Sequence, residues 1–123
     1  MHVNVGDCVN LMLSNETASG PVSIHADMLA YNPAKSIGIA AGGNPPQTVE
    51  PGSTRTYTFY AYPDVGETVA LLRDWGNVLE NPGLGLYGAI VVGEEGSSYT
   101  HPVIGEDMTL KSGWRVDVHP PAR

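Results

Sequence analysis

One cysteine, Cys8, is all the chain carries, so no internal disulfide can form and cysteine usage says nothing of compartment. Positive charge is scarce: six Lys and Arg face thirteen Asp and Glu, a formal net charge of −7. The basic residues Lys35, Arg55, Arg73, Lys111, Arg115 and Arg123 are scattered, which excludes the clustered cations that a phosphate backbone needs. Long apolar runs are missing, and stretches such as Ala89 to Val92 are far too short to cross a bilayer. A sustained 3.6-residue period is missing too; the best helical candidate is a turn or two within Trp75 to Glu80. No secretory leader is visible, because "MHVNVGDCVNL" opens in what reads as a strand already under way, as in a trimmed piece of a longer chain.

What is present suits one globular domain. A chain of 123 residues buries about 65% of its unfolded surface, enough for a core. Hydrophobic residues make up 41% and charged ones 15%, a folded rather than a disordered composition. Gly and Pro, fifteen and ten, are about a fifth of the chain and favour short strands with many turns.

Along the chain, Val9, Leu11 and Leu13 alternate with Cys8, Asn10 and Met12, a period of two. "NETASGP" breaks that strand, and Val22 and Ile24 alternate with Ser23 and His25 in a second one, which "MLAY" extends or follows. Residues 32 to 46 read as loop. Pro51-Gly52 then turns the chain into the clearest strand, where Thr54, Thr56, Thr58 and Tyr60 alternate with Arg55, Tyr57, Phe59 and Ala61. "TVALL" and "LGLYGAIVV" are two further strands, separated by the polar "RDWGNVLENPG". Several short strands at regular spacing predict an all-β antiparallel sandwich or barrel. The domain is expected over residues 1–97. Residues 98–123 read as a C-terminal linker or extension in which Trp114, Val116 and Val118 alternate before a Pro-Pro stop.

The order "GDCVNLMLSN", "VSIHADM", "TVEPGSTRTYTFYA", "GETVALL", "GLGLYGAIVV" resembles a cupredoxin domain of the multicopper oxidases, of the multidomain bacterial or ceruloplasmin-like type. The likeness spans about residues 2 to 96. Each motif is weak alone, and five in order are specific. It implies a cupredoxin-like Greek-key β-sandwich, a parent oxidoreductase that uses copper, sister cupredoxin domains or copies of the chain as partners, and an extracytoplasmic location. Gly85 and Gly88 flank Leu86-Tyr87, and Tyr87 is expected to bury its ring and bond its hydroxyl.

The same resemblance says where copper would sit. A type 1 site needs two His, a Cys thiolate and usually an axial Met. The family draws the Cys, one His and the Met from the loop before the last strand, here "RDWGNVLENPG", which has none of them. Cys8 lies in the first strand and reads instead as a small buried apolar residue. The first His-x-His pair of a trinuclear site stands here as His25-Ala26-Asp27. The second falls near Leu72-Arg73-Asp74-Trp75, with no histidine, and a pairing of Arg73 with Asp27 and Asp74 is expected there. His25 is the one candidate metal ligand, either a remnant that binds with Asp27 and donors from another chain, or a hydrogen-bonded structural histidine. No catalytic or cofactor-binding residue is assigned, and His2, His101 and His119 are expected to be solvated.

Three readings follow. The first is a copper-free structural domain of a larger oxidase, not active in isolation. The second is an oligomeric copper-binding module or oxidase subunit with His25 at a subunit interface. The third is a plain binding domain of immunoglobulin-like shape acting through loops or a sheet edge. Other motifs carry less: Asn15-Glu16-Thr17 fits a glycosylation acceptor, "GIAAGGNPP" lacks the Lys and helix of a phosphate loop, and no Gly-x-Ser-x-Gly elbow places a nucleophile. Tyr60, Tyr62, Trp75 and Trp114 are either a contact patch or ordinary strand-face residues.

Overall fold

The computed structural model describes residues 1–39, 43, 45–111, 113 and 115–123. Its longest pairing joins β2 (Cys8–Ser14) to β4 (Thr54–Tyr60), antiparallel over the full length of both, with Val9 opposite Phe59 and Leu11 opposite Tyr57. A four-stranded sheet runs β1 (His2–Asn4), β6 (Tyr87–Gly93), β5 (Thr68–Arg73), β3 (His25–Ala26). β5 and β6 pair antiparallel, whereas β1 joins β6 in parallel, an arrangement that needs the long crossover through β2 to β5. These two sheets are the faces of the sandwich.

The core lies between them and follows the period of two. Val3 from β1, Val9 from β2, Tyr57 and Phe59 from β4, Ala70 from β5, and Ile90 and Val92 from β6 all point inward and are buried. The Tyr57 and Phe59 rings lie parallel with centroids 6.4 Å apart. Tyr57 carries its hydroxyl into the interior, where it donates to the Gln47 carbonyl; burial raises its phenol above the usual tyrosine value. The fully buried Gln47 side chain in turn donates to the Pro33 carbonyl at 2.7 Å and accepts from the Gly38 amide at 3.1 Å. That exchange satisfies polar groups that would otherwise be costly to bury.

Local chemistry departs from expectation in three segments. A short helix, α1 (Pro33–Ser36), forms in the expected loop, because Asn32 accepts from the Ala34 amide as its cap and Pro33 is suited to the first helical position. The helical turn expected within 75–80 is a hydrogen-bonded turn that leads into a 3-10 helix one step later, Asn81–Leu84, ended by Gly85 at φ +92°. The second strand is shorter than its alternation implies: Val22 makes a lone bridge to Val49, and regular pairing is confined to His25–Ala26.

Beyond residue 97 the chain returns to the body. β7 (Ser98–Thr100) and β8 (Asp117–His119) pair antiparallel, and Tyr99 and Met108 are buried. The Tyr99 hydroxyl donates to Asn4 Oδ1 at 2.8 Å, and its ring lies 5.0 Å from that of His2. His2 is therefore buried rather than solvated, and its imidazole is held below the ordinary value by burial and then by the neighbouring terminal ammonium. His101 is half-buried and His119 exposed. Trp114 lies outside the described residues.

Candidate functional site

β3 is an edge strand, and its register against β5 sets His25 opposite Arg73. Asp27, the next residue on the same face as His25, has its amide on the Leu71 carbonyl at 3.0 Å, which continues the pairing by one residue. Met28 then turns the chain away at φ +69°, an uncommon conformation for a side chain of its size. The result is a three-residue cluster. His25 Nε2 lies 3.3 Å from Asp27 Oδ1, and Arg73 Nη2 lies 3.0 Å from Asp27 Oδ2.

The imidazole is oriented from both sides. Its Nδ1 sits 2.7 Å from the Ile37 carbonyl, a contact that requires the proton on Nδ1. Tyr31 and Trp75 meet the ring edge-on at 5.6 and 6.4 Å. Gly38 lets the Ile37 carbonyl approach: it holds φ +73°, and a Cβ there would stand 2.0 Å from the Ile24 carbonyl oxygen.

Asp74 does not pair with Arg73 as expected. It turns inward and is buried, with Oδ1 accepting from the amides of Ser23 (2.7 Å) and Gly76 (3.1 Å). Its Oδ2 accepts from the Asn77 amide and the Asn81 side chain, both at 2.9 Å. The sequence carries a signal for this, since an Asp followed by Gly and Asn in a connection is a usual acceptor for nearby amides. Asp74 thus pins the end of β5 and the following segment to residues 21–23.

Two further expectations are corrected by the register. Cys8 is exposed, because pairing with Tyr60 puts it on the outer face with Asn10 and Met12. Tyr87 is 75% exposed: with Ile90 and Val92 inward, Gly88 takes the inner position against Leu72, and Tyr87 faces out beside Arg73. The Asn15 side-chain nitrogen is buried and donates to the carbonyls of Gly20 and Val49, so it is committed to the fold and closed to glycosylation.

Next to the cluster runs an open apolar groove of about 560 Å³, lined by Leu71, Trp75, Val78, Pro82, Leu86 and Tyr87. Leu79, 91% exposed, and Leu84 fall within the same stretch of sequence, and Val69 lies on the outer face of β5. The groove's own lining is a continuous apolar surface, unlike singly scattered exposed residues.

A copper site needs three or more donors of imidazole, thiolate or carboxylate type. Among the described residues no three His, Cys, Asp or Glu side chains are gathered that way. His25 and Asp27 supply two donors, and their neighbour is a guanidinium, which has no lone pair to give. The residues present do not fit a copper ion.

No family model matches the sequence, and no curated protein does. Solved structures match in fold. A multi-copper oxidase from Pseudomonas thermotolerans superposes with a TM-score of 0.63 at 21% identity, over 76% of this chain and 21% of that one. The multicopper oxidase mgLAC matches with a TM-score of 0.61 at 27% identity, over 83% of this chain and 29% of that one. A multicopper oxidase from Campylobacter jejuni, described as a metallo-oxidase, matches at 0.52 and 18% identity, over 76% and 19%. The chain thus spans less than a third of the length of each. In fold it is a multicopper oxidase-like domain, a cupredoxin-like β-sandwich.

Proposed function

We propose that the chain is a copper-free structural domain that packs against sister cupredoxin domains and positions the sites they hold. The observation that carries this reading is Arg73 on Asp27 beside His25: a fixed cation stands where a third metal donor would be needed. The apolar groove over β5 and β6 supports a packing role, and so do solved relatives several times longer than this chain. On the same reading residues 1–97 form the packing unit and residues 98–123 an extension, with Tyr99 and Met108 as its anchors. An extracytoplasmic location goes with this proposal; among the described residues no helix is long and apolar enough to cross a membrane.

The test is a copper titration of the metal-stripped chain followed by EPR, with His25→Ala in parallel. We expect no stoichiometric copper signal in either protein. One copper per chain, lost in His25→Ala, would refute the structural reading.

One observation favours a second reading. With His25 Nδ1 donating to the Ile37 carbonyl, Nε2 is the ring nitrogen that a metal ion would use. Copies of the chain that met at this corner would share a copper among several His25 residues. The titration then saturates below one copper per chain, and the ratio reports the number of subunits.

A further inference from the structure

We infer that Arg73 is the resident cation of the His25–Asp27 corner: its guanidinium neutralises a preset pair of metal donors and keeps divalent ions out. The inference rests on the copper-free reading above and assigns the residue responsible for it.

Three observations carry it. The first is that the donors are already placed. Two ligands bound at about 2.05 Å in a tetrahedral site are about 3.3 Å apart. The 3.3 Å between His25 Nε2 and Asp27 Oδ1 matches that edge. The second is that the ring is oriented for ligation through Nε2, since Nδ1 donates a hydrogen bond to the Ile37 carbonyl, the same support that ligating histidines use. The third is that the remaining neighbour is Arg73, held opposite His25 by the strand register and in contact with the other carboxylate oxygen at 3.0 Å. A guanidinium is a fixed cation and offers no lone pair. A divalent ion between Nε2 and Oδ1 would share one carboxylate with that charge, and it would have to displace the guanidinium or bear its repulsion.

Charge, not bulk, is therefore the barrier, and side chains of similar length separate the two. Zn²⁺ binding is measured by competition with a chromogenic chelator on the full chain. The proteins are wild type, Arg73→Lys, Arg73→Met and Arg73→His, the last also with His25→Ala. Arg73→Met is expected to bind Zn²⁺ at least tenfold more tightly than wild type, and Arg73→Lys no more tightly. Arg73→His supplies a third donor and is expected to take one Zn²⁺ per chain, with a rise in melting temperature on Zn²⁺ addition that His25→Ala abolishes. Circular dichroism and a single cooperative melt establish that each variant is folded, and Arg73→Gln replaces Arg73→Met if that variant is not.

Folded Arg73→Met and Arg73→His that bind Zn²⁺ no better than wild type overturn the inference. So does Arg73→Lys gaining as much affinity as Arg73→Met, because then bulk is what excludes the ion. A wild type that takes up copper stoichiometrically ends the copper-free reading instead; the role of Arg73 still stands or falls on the ratio between Arg73→Met and wild type.

Discussion

Asp74 shows how one side chain organises the corner. Its two oxygens receive the amides of Ser23, Gly76 and Asn77 and the Asn81 side chain, so removing them leaves several donors without an acceptor, one of them on buried Ser23. Hydrogen bonds to a charged group contribute about 1.5–3 kcal/mol each, and stranded buried donors carry a full desolvation cost. Asp74→Ala is accordingly expected to destabilise the chain by about 3 kcal/mol or more, roughly a 10 °C fall in melting temperature for a domain of this size. Gly38 is the second such residue. Gly38→Ala sets a Cβ against the Ile24 carbonyl in a backbone conformation that alanine resists. We expect it to cost several kcal/mol. It should also free the His25 ring, seen by NMR as loss of the Nδ1–H signal protected by the Ile37 carbonyl.

At the scale of elements, the strands were legible where one face is buried. The alternations in β2 and β4 separate the two faces as the structure has them, apart from Cys8, which reads as buried and lies on the outer face, and the Pro51-Gly52 turn falls at the expected place, with Gly52 at φ +77°. What escaped was decided by register and by distant chain. The period of two in "YGAIVVG" already puts Tyr87 opposite in sense to Ile90 and Val92, yet aromatic character argued for burial; the pairing with Arg73 decides against it. The Asp27–Arg73 pair is expected from where the resembled family sets its two ligand pairs, and the pairing of β3 with β5 realises it; the Asp74 half of that expectation fails, because Asp74 turns inward to backbone amides that no spacing along the chain announces. His2 is buried by Tyr99, 97 residues away, so its environment is written in a segment that reads as a linker. This docking makes two predictions. Tyr99→Ala removes the buried ring and its bond to Asn4, and is expected to cost about 3–5 kcal/mol and to open β7 and β8 to limited proteolysis. The second concerns pH. With the folded imidazole of His2 held below about 6.5, the unfolded chain binds the proton more readily. Stability is then lost as pH falls from about 6.5 through the folded value. His2→Phe keeps the ring contact, removes a buried Nδ1 that has no partner, and should flatten this acid limb in melting curves taken between about pH 7.5 and 5.

At the scale of the molecule, a net charge of −7 and an apolar face work in opposite directions. Self-repulsion keeps copies of the chain apart, while burial of Leu71, Val78, Leu79 and Tyr87 against another surface is favourable by about 25 cal/mol for each Å² removed from water. Salt screens the first effect and leaves the second, because the Debye length falls from about 10 Å at 0.1 M to about 3 Å at 1 M. The 123-residue chain is therefore expected to associate weakly in sedimentation experiments, and more as salt is raised. Association through paired surface charges would weaken instead. Leu71→Asp with Val78→Asp puts charge in the middle of the face, where both side chains are about half exposed, and should reduce association at least tenfold. Exposed substitutions of this kind usually shift stability by no more than about 0.5 kcal/mol, so the melting temperature should stay nearly unchanged. A domain whose partners lie elsewhere on its surface would associate equally well with and without the two aspartates, and the groove over β5 and β6 would then have no part in packing.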